Sequence, residues 1–123
     1  MRAVIQRVRQ CFVRSAGLLS GQIDEGLLVY LGVGRHDGEK DLTYLVEKVA
    51  NLRIFADEHG KMNLSASDLG EQIMVVSQFT LFGDARQGRR PSYSAAARPE
   101  EASYYYRRFC ELLREKGFQV QTG

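Results

Sequence analysis

The sequence predicts an α+β domain, a mainly antiparallel sheet or partly closed barrel carrying two major helices. Three observations point there. Short apolar or alternating segments, bounded by glycines and polar turns, occupy residues 2–8, 11–24, 26–34 and 73–79. Two longer segments, from 39 to about 55 and from 99 to 117, repeat their apolar residues at helical spacing. The strand-like segments run in hairpin succession, and no glycine phosphate loop leads from a strand into a helix. A doubly wound nucleotide fold fits that pattern poorly.

Residues 2–8, RAVIQRV, are β-rich and open the fold. Residues 11–24 read as two short strands turning near Ala16-Gly17, with a further break at Gly21. The run 26–34, GLLVYLGVG, is almost wholly apolar, short and flanked by glycines, which favours a buried central strand over a helix. Arg35-His36-Asp37-Gly38 is a turn, and a helix follows from Glu39 to about Phe55. Leu42, Leu45, Val46, Val49 and Leu52 give it one apolar face. A second turn at 57–60, an extended piece at Met62-Asn63-Leu64 and a helical turn at 67–70 come next. Residues 73–79, IMVVSQF, form a second buried strand, and a Gly- and Arg-rich loop spans roughly 83–98. Pro99 suits the first turn of a second helix, with Glu100 and Glu101 near its positive end. Ala102, Tyr105, Tyr106, Phe109 and Leu113 supply the inner face of that helix, Gly117 ends it, and a final strand covers 118–122.

A length of 123 residues suits a single domain, residues 1–123, and its 44% hydrophobic and 26% charged composition is that of an ordinary globular chain. A net charge of +2 is too mild to announce a nucleic-acid binder. Its distribution says more. Arg2, Arg7, Arg9 and Arg14 lie in an acid-free stretch, and Arg86, Arg89, Arg90 and Arg98 face only Asp84. Such clusters meet phosphate or simply solvate a surface. Cys11 and Cys110 stand far from any CxxC spacing and read as two reduced thiols. With no signal-like leader and no membrane-length apolar run, the chain is expected in the cytoplasm, off the membrane.

The one unusual strand end is Ser77-Gln78-Phe79-Thr80. Alternation would direct Ser77 and Phe79 to one face and Gln78 and Thr80 to the other. A Gln amide and a Thr hydroxyl two apart can then converge on a small ligand, while strand-end N–H groups receive a developing oxyanion. Taken alone, the tetrapeptide is better read as plain strand-end polarity. No triad accompanies it. His36 and His59 sit in turn-like loops, and Thr80 has no evident base. Nor do two separated histidines and two separated cysteines form a metal-ligand cluster, so neither metal nor cofactor is expected. Three other segments stand out: Arg53 among apolar neighbours, Asn63 between Met62 and Leu64, and Gly88-Arg89-Arg90-Pro91-Ser92-Tyr93. The last is a basic turn followed by an aromatic, a combination suited to an RNA end or to a solvated loop.

Taken in order, these segments resemble the D-aminoacyl-tRNA deacylases over essentially the whole chain. The matching stretches are RAVIQRV at 2–8, GLLV at 26–29, NLRIF at 51–55, GKMNL at 60–64, VVSQFTL at 75–81, GRRPS at 88–92 and the terminal Thr122-Gly123. The resemblance implies a homodimer with interface active sites, acting on the aminoacylated 3′ end of tRNA and not on DNA. It makes Gln78, Phe79 and Thr80 the catalytic residues, with Ser77, Arg7, Met62 and Asn63 around the substrate and Arg89 and Arg90 on the RNA. Thr80 is then either a nucleophile or a positioning residue for hydrolysis assisted by the tRNA 2′-hydroxyl. The missing base favours positioning. An aminoacyl ester is labile enough for orientation and oxyanion stabilisation to supply much of the rate.

The family's sequences continue past Thr-Gly to a strand with an Asn-x-Gly-Pro-x-Thr motif, whose Gly-Pro pair reaches into the partner's site and excludes L-amino acids. Here the only prolines are Pro91 and Pro99. On the resemblance, that C-terminal strand and its chiral filter are expected to be missing, with a sheet edge exposed. Glycyl-tRNA becomes a second candidate substrate. The alternative is a catalytically impaired tRNA-binding dimer.

Overall fold

The computed structural model describes residues 1–123. Its central sheet has four strands in the order β1-β4-β7-β8, formed by Arg2–Val8, Gly26–Gly32, Gln72–Ser77 and Val120–Thr122. A β2–β3 hairpin, Cys11–Ser15 and Leu18–Ile23, and a small β5–β6 hairpin, Phe55–Ala56 and Met62–Leu64, complete the strands. Helix α1 covers Glu39–Asn51, the one-turn α2 covers Ala66–Leu69, and α3 covers Pro99–Glu115.

The α+β class holds, and three of the five pairings are antiparallel: β1–β4, β2–β3 and β5–β6. The central sheet itself is mixed. β4–β7 and β7–β8 are parallel, because α1 and α3 carry the chain back across the sheet between those strands. The expected partly closed barrel does not form: the sheet is open, with β1 and β8 as its edges.

Burial explains the layering. Leu27, Val29 and Leu31 of β4, with Ile73 and Val75 of β7, face Leu42, Val46 and Val49 of α1 and Phe109 and Leu113 of α3. The alternate residues Leu28 and Met74 meet Ile23 of the β2–β3 hairpin on the opposite face. A strand covered on both faces must be apolar throughout, as β4 is.

Several boundaries move. Helix α1 stops at Asn51, four residues short of expectation, because Leu52 turns extended and Phe55 enters β5 opposite Leu64. Gly21 does not break its strand; it pairs with Val13 inside β3. The β7 strand ends at Ser77 instead of Phe79, and Phe79–Phe82 winds into a 3₁₀ turn. Cys11 and Cys110 are free thiols. No helix is long and apolar enough to cross a membrane.

Candidate active site

The 3₁₀ turn sits where the parallel β4–β7 pairing runs out. Gln78 N–H still donates to Leu31 O at 2.8 Å, continuing the ladder by one bond. The chain then coils, with Leu81 N–H donating to Gln78 O and Gly83 N–H to Thr80 O. A 3₁₀ turn leaves its leading N–H groups without partners inside the turn, and no side chain caps this one. Those leading groups belong to Phe79 and Thr80.

Strand alternation was the wrong reason for a right grouping. Ser77 and Phe79 do share a groove, and the Gln78 amide does donate to the Thr80 hydroxyl. It is the coil, not a pleat, that brings each pair together. Thr80 Oγ1 thus meets an amide and not a base, and both histidines are exposed in loops elsewhere.

The groove encloses about 520 Å³ and is mostly apolar. Ser77 and Phe79 form one wall, Tyr93, Ala96 and Ala97 a second, and the first two turns of α3, through Ala102 and Tyr106, the third. Tyr106 ties the helix to the strand by donating its hydroxyl to Val75 O at 3.1 Å. Burial raises the Tyr106 hydroxyl above its ordinary value, which keeps it a protonated donor. Loop 83–98 is strapped down by its backbone. Arg35 N–H donates to Ala95 O at 3.0 Å, Ala97 N–H to Val33 O at 2.9 Å, and Asp84 and Ser92 exchange bonds at 2.8 Å.

Arg90 lines a polar hollow of about 620 Å³ with Asp84, Arg86, Gln87 and Ser92. Arg89 does not line it, although it is exposed on the same loop. Arg86 is engaged: its guanidinium donates to both Asp84 oxygens, at 2.9 and 2.7 Å, and holds that carboxyl down at about 2. This hollow is the larger, but Asp84, Arg86, Gln87, Arg90 and Ser92 line it without one hydrophobic residue, unlike a small-molecule site.

Arg7, Met62 and Asn63 are not beside this turn within one chain. Arg7 pairs across β4 at Leu27, next to Ile73, at the opposite end of the sheet from Ser77. That places it about 13 Å from Ser77 along the strands. Phe55 of the β5–β6 hairpin lines the same hollow as Arg7, so Met62 and Asn63 belong to that end too. Met62 is exposed, and the Asn63 side chain helps hold the Asp57 carboxyl below its usual range, after the backbone bonds from Lys61 and His59.

Tyr93, Tyr106 and Arg2 were not singled out as site residues by the sequence. For Tyr93 a signal existed, an aromatic directly behind a basic turn. Tyr106 looked like one more residue on a helix's inner face.

No cluster of three or more His, Cys, Asp or Glu that could hold a metal ion occurs in the chain. Fold and site together define an α+β domain with an apolar groove beside a 3₁₀ turn whose leading N–H groups have no partner inside the turn. A family model described as D-Tyr-tRNA(Tyr) deacylase matches residues 4–123. The chain belongs to the D-aminoacyl-tRNA deacylase family, a family of hydrolases. It is 55% identical to the D-aminoacyl-tRNA deacylase of Brevibacillus brevis over all of this chain and 85% of that one. With the Thermotoga petrophila D-aminoacyl-tRNA deacylase it shares 54% identity, over all of this chain and 83% of the relative. A solved structure titled c-Myc DNA Unwinding Element Binding Protein superposes with a TM-score of 0.93 at 36% identity, over all of this chain and 84% of that one.

Proposed function

We propose that this chain hydrolyses the ester bond of D-aminoacyl-tRNA, releasing the D-amino acid and reusable tRNA. The observation that carries the reading is the 3₁₀ turn at Phe79–Phe82, whose leading N–H groups open beside an aromatic-walled groove. The terminal adenosine stacks in the groove against Phe79 and Tyr93, which suits a splayed-out RNA base. The Phe79 and Thr80 N–H groups then stabilise the oxyanion that forms as water attacks the ester carbonyl. Thr80, bonded to Gln78, positions the ester, and the proton traffic falls to water and the tRNA's 2′-hydroxyl.

The division of Arg7, Met62 and Asn63 from the turn supports a homodimer, since a second chain can bring its own copies to the first chain's groove. Arg89 and Arg90 supply phosphate contacts on the approach. Glycyl-tRNA, with no side chain to exclude, is a second substrate.

The test is deacylation of D-tyrosyl-, L-tyrosyl- and glycyl-tRNA under single-turnover conditions, with tRNA binding measured in parallel. Turnover of the D-ester is expected. Tight binding with no turnover of any ester would replace this reading with that of a tRNA-binding dimer.

A further inference from the structure

We propose that Arg2 is a positioning residue for this reaction, its guanidinium fixing the ester-cleaving turn against the edge of the sheet. The inference rests on the deacylase reading above. Arg2 Nη1 donates to Leu81 O at 2.7 Å, the one hydrogen bond from a side chain outside the turn to its backbone. The same guanidinium lies over the Phe82 ring, 4.5 Å from its centroid. A charged donor strengthens the first contact, and the ring's negative face favours the second.

Phe82 also packs closely against the Gly34 backbone. A Cβ on Gly34 would come within 2.9 Å of the ring carbons, so the ring rests on bare backbone there. Gly34 is itself fixed, its N–H donating to Asp37 Oδ2 at 2.6 Å. Opposite Arg2 in the sheet stands Gly32, the last residue of β4, next to the end of β7 from which the turn continues. The turn is thus held at its start by the Gln78–Leu31 bond and at its end by Arg2. Only two residues, Phe79 and Thr80, lie between those holds. Losing the second lets Thr80 and the leading N–H groups drift, and small misplacements of such groups are costly in rate.

A positioning role and an RNA contact make opposite demands. Arg2→Met should lower single-turnover kcat on D-tyrosyl-tRNA by about tenfold or more, leaving KM within about twofold and the salt dependence of binding unchanged. Arg2→Lys keeps a cation over the ring and one donor, and should recover part of the loss. Phe82→Leu, which removes the ring beneath the cation, should reproduce the kcat-selective loss. Should Arg2→Met not fold, Arg2→Lys decides: an intermediate kcat supports the clamp and a parental kcat overturns it. A kcat loss absent from Arg2→Met, or a defect confined to KM with a shallower salt slope, also overturns it. A parent chain that cleaves no D-ester would instead sink the functional reading, so the two failures are told apart.

Discussion

Tyr93 and Phe79 stand as a T-shaped pair, ring centroids 5.3 Å apart and planes at 66°. One ring comes from the 3₁₀ turn and the other from the strapped loop, so the pair closes the groove across two separate segments. An edge-to-face pair contributes about 0.5–1.5 kcal/mol beyond its burial. Tyr93→Leu should therefore raise KM for charged tRNA by up to about tenfold. Because Tyr93 meets the turn through its ring on Phe79 and not through a side-chain hydrogen bond, kcat should hold. A fall in kcat with unchanged KM would remove the stacking role.

Gln78→Ala frees the Thr80 hydroxyl from its one side-chain partner. Turnover should fall about tenfold or more while the unfolding midpoint stays close to the parent's, since Gln78 contributes no core contact. Thr80→Val should keep measurable turnover, and no acyl-enzyme should be trapped by acid quench and mass spectrometry. A trapped acyl group on Thr80 in the parent would make that residue the nucleophile.

Arg86 and Arg90 line one hollow but differ in availability, because Arg86 is already committed to Asp84. Arg90→Gln should weaken tRNA binding and flatten the log–log salt slope by about one unit. Arg86→Gln should do less. Equal effects would mean that RNA competes Arg86 away from Asp84.

Gly26 pairs with Gln72 at the start of the parallel β4–β7 seam. A Cβ there would lie 1.9 Å from Gln72 O, with backbone on the other side of the contact and no flexible side chain to yield. Gly26→Ala should destabilise the chain by more than about 2 kcal/mol, read from chemical denaturation. A loss within half a kcal/mol would mean the parallel seam is looser than its geometry.

Burial pushes the Cys110 thiol up to about 11, with Arg114 opposing and Glu111 adding to it. The folded state thus favours the protonated thiol. That contribution is whole below the ordinary value of 9.0 and is lost as pH rises through about 11. Iodoacetamide at pH 8 should label the half-buried Cys11 well before the buried Cys110, followed by mass spectrometry. Equal labelling rates would place Cys110 nearer solvent than the helix packing allows.

Much of this was legible from residue order. Arg2–Val8 and Met62–Leu64 fall on the expected segments, and the first hairpin turns at Ala16-Gly17. Their signals are local: alternation, a turn pair and a short apolar run. What escaped depends on partners distant in the chain. Whether β4 pairs with β7 parallel or antiparallel is decided by where α1 returns the chain, and no residue of β4 encodes that. The coil at Phe79–Phe82 escaped because Phe-Thr-Leu-Phe is as good a strand as a turn until Arg2 and the Gly34 backbone claim its end. Family resemblance placed Ser77 to Thr80 and Arg7 in one site, whereas within one chain the sheet sets them at opposite ends.

The wall formed by residues 93–97 is fastened through main-chain atoms at Ala95 and Ala97 and at the Asp84–Ser92 bridge. Main-chain fastenings do not depend on which side chains the segment carries. Ala96 and Ala97 can be exchanged for larger or more polar residues while their supports stay where they are. The pocket's lining can be rewritten like the upholstery of a fixed frame, which makes these two alanines the place to retune what this scaffold accepts.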